Sequence, residues 1–100
     1  MKEIISKLNK VFESRIRLGI MSVLMVNDWV DFNTLKELLE ITDGNLASHL
    51  TNLEKNRLIR VKKQFVGRKP NTKYQATDHG KKLFKEHLDY LGKLIDSQNQ

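Results

Sequence analysis

A stripe of short polar side chains in the middle of the chain has the chemistry needed to hydrogen-bond to the edges of nucleic-acid bases. It has the helical spacing i, i+3, i+4 and i+7, and it consists of Asn45, Ser48, His49 and Asn52. An Asn amide can pair with N6 and N7 of adenine, and a Ser hydroxyl can bond to several bases. An ordinary solvated helix face has the same composition, so this interpretation depends on the residues around it.

A dense block of positive charge follows the polar stripe directly. The chain has a formal net charge of +6, but residues 55–82 hold ten Lys or Arg against the single Asp78. Charge of one sign repels itself and destabilises a compact state, whereas a merely solubilising surface usually intersperses both signs. The segregation of charge therefore favours a polyanionic partner.

The bulk composition excludes several classes of protein. A chain of 100 residues with 39% hydrophobic and 30% charged residues is typical of one globular domain, here expected to span residues 1–100. No apolar run approaches the roughly 20 residues of a membrane span, and the charged start "MKEIISKLNK" does not resemble a signal peptide. With no cysteine there is no disulfide framework. We expect a cytoplasmic protein without contact to a membrane.

The first 26 residues are predicted to be helical, because apolar residues recur at three- and four-residue steps from Ile4 to Leu24. The apolar stripe is wider than one side of a helix, which indicates burial on more than one face. In so small a protein the second face is expected to meet another subunit. The pattern does not fix where one helix ends and the next begins between Glu3 and Ser14.

A short helix is predicted after the polar interruption "NDWVDFNT". Trp29 and Val30 could form a very short strand before it, and Asp31 or Asn33 could cap its first turn. Its buried side is predicted to consist of Leu35, Leu38 and Leu39.

A second short helix is predicted from about residue 45 to 55, after the turn "EITDGN". Thr42 and Asp43 are good N-cap residues, and Gly44 permits a tight turn. The inward side is predicted to be Leu46, Leu50 and Leu53, which leaves the polar stripe exposed. Two helices joined by a short turn containing Gly form a helix-turn-helix, here over about 32–56, whose second helix can enter a DNA major groove.

A β-hairpin is predicted from about residue 58 to 76, because "LIRVKKQFVG" and "TKYQAT" have strand-type patterns on either side of the loop "GRKPN". Its aromatic residues, Phe65 and Tyr74, are expected to be buried. Arg68 and Lys69 lie at the tip, where Arg is favoured by the negative potential of a minor groove. Lysines that flank the tip are expected to contact phosphates. Such contacts position a protein on the duplex without reading its sequence. The basic residues assigned to the DNA-contacting surface of the hairpin are Lys62, Lys63, Arg68, Lys69 and Lys73.

A long final helix is predicted over about 77–97, with an apolar seam at 4-3-4 spacing. Together with the N-terminal apolar stripe, this seam is the expected interface between two subunits. The residues assigned to the interface are Ile4, Leu8, Phe84, Leu88, Leu91 and Ile95.

The chain closely resembles winged-helix transcriptional regulators of the MarR/ArsR-like group over about residues 12 to 85. The most specific parts are "DGNLASHLTNLEKNRLI" and "GRKPNTKYQATDHGK". The resemblance implies a mainly α fold with a small β-hairpin wing, built as a three-helix core plus a long terminal dimerisation helix. It also implies residues 45–52 as the recognition helix and 62–73 as the wing. One departure is Asn56, where relatives usually have Gly; Asn also tolerates the left-handed conformation.

The resemblance implies sequence-specific binding of double-stranded DNA by a homodimeric transcriptional regulator, taken here to be a repressor. Two recognition helices would enter successive major grooves roughly 34–36 Å apart on a palindromic operator. No cofactor and no metal is expected. The sequence does not identify a small-molecule effector.

Four other functions, namely an enzyme, a metal sensor, an RNA-binding protein and a protein-docking module, agree less well with these residues. An enzyme is disfavoured because the chain has no Gly-rich phosphate loop, no Cys nucleophile and no carboxylate pair on one helical face. Metal sensing usually needs Cys or a denser His/Asp cluster than these three histidines offer. RNA binding is disfavoured because the basic block is expected to lack an exposed aromatic surface. A winged helix that docks an acidic protein partner is the main alternative.

Arg15 and Arg17 are expected to pair with acidic residues inside the domain.

Overall fold

The structure, a computed structural model, describes residues 1–98 of the chain. The final two residues of the predicted domain span 1–100 lie outside the described residues. Within these residues, five α-helices, a one-turn 3-10 helix and a three-stranded antiparallel sheet give the mainly α fold that the sequence predicts. In chain order the elements are α1 (Lys2–Ser6), a one-turn 3-10 helix (Lys10–Phe12), α2 (Arg15–Val26), β1 (Val30–Asp31), α3 (Phe32–Leu39), α4 (Asp43–Lys55), β2 (Ile59–Val66), β3 (Lys69–Ala76) and α5 (Asp78–Gln98).

The N-terminal helical region is divided into three pieces by two capping side chains. Asn9 Oδ1 accepts a hydrogen bond from the Val11 N–H at 3.0 Å and begins the 3-10 turn. Ser14 Oγ accepts from the Arg17 N–H at 3.3 Å and begins α2. Side chains that satisfy these free N–H groups favour new helix starts, so the chain changes direction at both points.

The core lies between α2, α3, α4, α5 and the inner ends of the strands. Phe12 and Phe84 meet edge to face in it, with ring centroids 5.2 Å apart. The prediction that Leu46, Leu50 and Leu53 point inward is confirmed, since all three are buried. The prediction for α3 is partly wrong. Its inner stripe is Phe32, Leu35 and Leu39, while Leu38 is exposed.

A buried histidine fastens the 3-10 turn to the last helix. His87 lies against Phe12, and its Nδ1 accepts a hydrogen bond from the Asn9 N–H at 3.1 Å. Burial lowers the pKa of His87, although the nearby Glu13 carboxylate opposes that shift. The neutral ring is therefore the form that this position favours, because a protonated Nδ1 could not accept the hydrogen bond.

Side-chain caps also set the starts of the two helices of the helix-turn-helix. Asp31 Oδ1 accepts from the Thr34 N–H at 2.7 Å, and this hydrogen bond lowers the pKa of Asp31. Thr42 Oγ1 accepts from the Asn45 N–H at 3.2 Å, so α4 begins at Asp43, two residues earlier than predicted. Asp31 and Thr42 are both among the residues predicted as N-caps.

The hairpin is longer and its turn tighter than the sequence indicates. β2 and β3 pair from Ile59↔Ala76 out to Val66↔Lys69, which leaves a turn of only Gly67 and Arg68. Gly67 has φ +66°, a conformation that glycine adopts without strain. The predicted loop "GRKPN" is therefore wrong beyond its first two residues. Pro70 is accommodated in β3 because its pair with Phe65 is of the non-hydrogen-bonded kind, which needs no N–H from Pro70.

β1 extends the sheet on the other side of β3, with Val30 opposite Tyr74 and Asp31 opposite Lys73. The very short strand predicted at Trp29 and Val30 is therefore found one residue later. This edge strand fastens the start of the helix-turn-helix to the inner end of the hairpin.

Four residues, Arg57, Leu58, Thr77 and Gly80, form a junction between α4, the hairpin and α5. The N–H of Leu58 donates to Leu53 O at 3.0 Å, and its carbonyl accepts from the Thr77 N–H at 3.0 Å. Thr77 Oγ1 donates to Arg57 O at 2.8 Å and accepts from the Gly80 N–H at 2.9 Å. The junction thus joins the end of the recognition helix, both strands and the start of α5.

The left-handed residue at the end of α4 is Arg57 (φ 58°), not Asn56. Asn56 has φ −84°, and its side-chain amide donates to Asn52 O at 2.8 Å. The prediction that Asn56 takes the role of the usual Gly is therefore wrong, because the chain reverses one residue later.

Gly80 allows α5 to approach the backbone of Leu58 closely at the junction, so a larger residue at position 80 should lower stability. A Cβ at position 80 would overlap the carbonyl group of Leu58, whereas a Cβ at Gly92 in the same helix would meet nothing within 4 Å. We expect Gly80→Ala to lower the free energy of unfolding by about 1–3 kcal/mol. Gly92→Ala should raise it by up to about 1 kcal/mol, because Ala favours the helix. Urea denaturation of both variants measures the difference, and equal effects would contradict the close approach.

Candidate nucleic-acid interface

The buried leucines of α4 determine which of its side chains face outward. Opposite Leu46, Leu50 and Leu53 lie Ser48, Thr51 and Lys55, all exposed. These three residues form the outermost line of α4, and the predicted stripe lies to one side of it. Asn45 and Ser48 are exposed, whereas His49 and Asn52 are half-buried on the side that turns toward α2. The structure thus brings the four predicted residues to one side of α4, but the stripe is not centred on the outermost line.

Sequence reasoning missed Thr51 and Lys55 at the centre of the exposed face. Both are separated from the leucine stripe by about half a helical turn, so a full helical projection would have identified them. The predicted stripe follows the spacing i, i+3, i+4 and i+7 from Asn45, and this line is displaced from the one directly opposite the leucines.

A depression beside α4 adds a basic residue from α2. It has a volume of about 380 Å³ and is lined by Arg17, Ser48, His49, Thr51, Asn52 and Lys55. Arg17 Nε donates to Val11 O at 2.6 Å, which orients the guanidinium group. The predicted ion pairs of Arg15 and Arg17 are wrong, since the salt bridge found within residues 1–98 joins Lys36 to Asp43. No carboxylate lines the depression, so it suits an anion.

His49 is a neutral member of this depression. Partial burial and then the charge of Arg17 lower its pKa. A neutral imidazole has one donor and one acceptor nitrogen, so His49 can hydrogen-bond without adding charge. The positive charge of the depression comes from Arg17 and Lys55.

The basic residues predicted to contact DNA from the wing lie on different parts of the hairpin. Lys63 shares a cleft with α4, while Lys62 and Lys73 oppose each other directly across β2 and β3 on the other face. Lys62 Nζ also lies 5.7 Å from the centre of the Trp29 ring. Arg68 belongs to the turn, and Lys69 begins β3 beside it. Like charges directly opposite in a sheet are destabilising, so the pair of lysines gains from an anionic partner.

A cleft separates α4 from the wing. Its volume is about 600 Å³, and it is lined by Ala47, Leu50, Thr51, Glu54, Val61, Lys63 and Tyr74. The prediction that Tyr74 is buried is confirmed, and burial followed by the nearby Glu54 carboxylate raises its pKa. Because Thr51 and Lys63 line the same cleft, the outer face of α4 and the base of the wing are neighbouring surfaces.

The prediction that Phe65 is a core residue of the wing is wrong. Its side chain is 74% exposed, and that of Val66 is 60% exposed. The hairpin continues beyond Val61 and Tyr74, where the helices no longer cover it. Alternation along the strand therefore cannot bury either side of the outer segment.

The residues predicted for a subunit interface are divided between the core and the surface. Phe84 is 2% exposed and packs on Phe12, so its side chain belongs to the domain core and the prediction is corrected. Leu88 and Ile95 are 45% and 65% exposed on α5. The remaining three, Ile4, Leu8 and Leu91, are half-buried.

Two further properties of residues 1–98 bear on the alternatives. Within this range no three His, Asp or Glu side chains are grouped so that they could hold a metal ion. None of the described helices combines the length and the apolar character needed to cross a membrane.

Sequence comparison relates the chain to known proteins. Residues 16–95 match the family model described as a winged helix DNA-binding domain. An uncharacterized protein of Methanocaldococcus jannaschii is 35% identical over 79 residues, which are 79% of this chain and 86% of that protein.

Solved structures show the same fold. A transcriptional regulator homologue from Pyrococcus horikoshii has a TM-score of 0.86 and 33% identity, with 99% of this chain and 96% of that chain covered. NadR in complex with 4-hydroxyphenylacetate has a TM-score of 0.71 and 25% identity, with 97% and 68% covered. ZitR of Lactococcus lactis, at 16% identity and a TM-score of 0.67 over 86% of this chain and 57% of its own, supports the fold alone.

The family model covers the helix-turn-helix, the hairpin and most of α5, and the similar structures include transcriptional regulators. The predicted resemblance to winged-helix regulators is therefore confirmed, and this chain belongs to the family of winged helix DNA-binding domains.

Proposed function

We propose that this protein binds double-stranded DNA sequence-specifically as a homodimer and acts as a transcriptional repressor. The observation that carries the proposal is that the outer face of α4 adjoins the basic wing across one cleft, lined from the two sides by Thr51 and Lys63. A helix and a hairpin on one surface can occupy neighbouring grooves of a duplex. The proposal requires no catalytic step and no cofactor.

The N-terminal half of α4 is proposed to read bases in the major groove. Asn45 and Ser48 are exposed, and residues near the start of a recognition helix are those that commonly reach base edges. Asn52 is less available, because it is half-buried and its Oδ1 lies 3.4 Å from Asn56 Nδ2. We therefore assign base reading first to Asn45 and Ser48, with Asn52 and His49 at the edge of the contact.

The basic depression beside α4 is proposed to hold a backbone phosphate. The oriented guanidinium group of Arg17 and the exposed Lys55 border it, and hydroxyl groups of Ser48 and Thr51 complete the lining. Such contacts fix the depth and angle of a recognition helix without specifying sequence.

The wing is proposed to follow the backbone and reach the minor groove. Arg68 occupies the exposed two-residue turn, where its guanidinium group can enter the negative potential of a narrow groove. Phosphates would also relieve the repulsion between Lys62 and Lys73, which oppose each other across the strands. This reduction in self-repulsion is one reason to favour a polyanion over a neutral partner.

The homodimer is proposed to form through α5 and α1. Leu88 and Ile95 leave apolar area exposed on α5, and the partly exposed Ile4 and Leu8 belong to the N-terminal segment that packs against that helix. A two-fold arrangement would present two copies of α4 to successive major grooves, roughly 34–36 Å apart. Repression follows most simply, because occupation of an operator excludes other proteins from it.

Substitutions on the wing and on α4 should have different effects on DNA affinity. Arg68→Ala should weaken binding to every duplex and reduce the slope of log K against log salt by about 1. Asn45→Ala should instead change preference at particular base pairs, by about 1–3 kcal/mol for a lost base contact. Fluorescence anisotropy on a panel of duplexes at several salt concentrations measures both effects.

Lys85→Ala is the matched control, since it removes one positive charge from an exposed position on α5. It should alter affinity and salt slope less than Arg68→Ala does. If Asn45→Ala weakened all duplexes equally, Asn45 would not read bases. If the unmodified protein bound an acidic protein but no duplex, the alternative of a protein-docking module would replace this proposal.

A charge placed on the apolar side of α5 should prevent dimerisation. We expect Ile95→Asp to shift the protein from dimer to monomer in sedimentation equilibrium, because a carboxylate buried without a partner opposes association. Leu38→Asp is the control, since Leu38 is also exposed but lies on α3. A monomeric unmodified protein, or an Ile95→Asp variant that dimerises normally, would contradict the assignment.

A further inference from the structure

Phe65 is the exposed aromatic side chain of a wing that is otherwise strongly basic. It is 74% exposed, and its cross-strand neighbour is Pro70. The two line a shallow depression of about 280 Å³ together with Lys63, Gln64, Asn71 and Thr72. A ring left in water on such a projecting segment adds nothing to the core and is available for a contact outside the domain.

The strand register places Phe65 on the side of the wing that faces α4. Side chains alternate along a strand, so Phe65 lies on the same face as Val61 and Lys63. Both of those residues line the cleft between α4 and the wing. Val66 lies on the opposite face with Lys62. Phe65 therefore continues the cleft-facing side of the wing toward the turn, beyond the point where the cleft ends.

The surrounding charge identifies the kind of partner that fits this ring. Residues 59–76 contain no Asp or Glu, and Lys63, Arg68 and Lys69 lie close to Phe65 in the hairpin. A partner for this segment must carry negative charge and also present an apolar surface to the ring. The minor groove of duplex DNA does both, because phosphates border the sugars and stacked bases within it.

We propose that Phe65 inserts into the minor groove beside Arg68 and partly unstacks one base step. Apolar side chains inserted in this way kink a duplex toward its major groove. Such a contact favours flexible pyrimidine–purine steps, so it would add sequence preference without any hydrogen bond to a base. This inference rests on the proposed function, and it assigns to the wing a role in specificity as well as in affinity.

The test compares Phe65→Ala with Val66→Ala, a neighbouring apolar residue on the opposite face of the same strand. The probe is a mixed-sequence duplex that contains TA and CA steps and carries a fluorescent dye at each end. We expect Phe65→Ala to weaken binding about tenfold and to leave the salt slope unchanged, because no charge is lost. Val66→Ala should stay within about twofold of the unmodified protein.

Energy transfer between the two dyes gives a second readout, which reports the bend of the duplex itself and not the affinity. At saturating protein the unmodified chain and Val66→Ala should bring the duplex ends closer together. Phe65→Ala should bind at high concentration without bending the duplex. If Phe65→Ala bound and bent the duplex as the unmodified protein does, the inference would fail while the proposed function stood.

Two other outcomes overturn the inference in distinguishable ways. If the unmodified protein did not bind duplex DNA at any salt concentration, the proposed function would fail as well. If it preferred the single strand of the same sequence, and Phe65→Ala abolished that preference, the ring would be a stacking platform for unpaired bases. The assignment to a minor groove would then be wrong.

Discussion

The close approach of Gly80 to the carbonyl group of Leu58 is the constraint on which the geometry of the proposed interface depends. Around it, Thr77 caps α5 and also bonds to Arg57 at the end of α4, so one small junction fixes three elements. The hairpin starts and ends at this junction, and its angle to α4 follows from it. A side chain at position 80 would separate α5 from the base of the wing and change the spacing of the two surfaces.

Charge and packing in this domain serve different ends. Buried leucines fix the orientation of α4 about its own axis and so decide which of its side chains face outward. The wing extends beyond the core and carries opposed lysines and an exposed aromatic ring. A segment that is self-repelling and poorly covered adds little to stability, since its opposed lysines repel each other and its aromatic ring stays in water. Its composition is better explained by what it contacts than by what it stabilises.

The sequence predicts the order of elements from α2 onward well because the helices and the hairpin there have strong local signals. Leucines at i, i+4 and i+7 define α4, and a change from helical to strand period marks the hairpin. Three of the errors concern burial: Leu38 and Phe65 are exposed, and Phe84 lies in the core. Burial depends on which element covers a residue, and periodicity cannot show where that cover ends. Arg17 was missed as part of the candidate site for the same reason, since only the folded chain brings α2 beside α4.

The most direct test of the central claim, that α4 and the wing form one DNA-binding surface, is a map of amide chemical shifts. The nitrogen-15-labelled protein would be titrated with a duplex long enough to span two successive major grooves. We predict shifts concentrated in residues 44–55 and 62–73, together with Arg17, while the exposed side of α5 stays unchanged. Shifts confined to α1 and α5, or an unchanged spectrum at saturating duplex, would contradict the account.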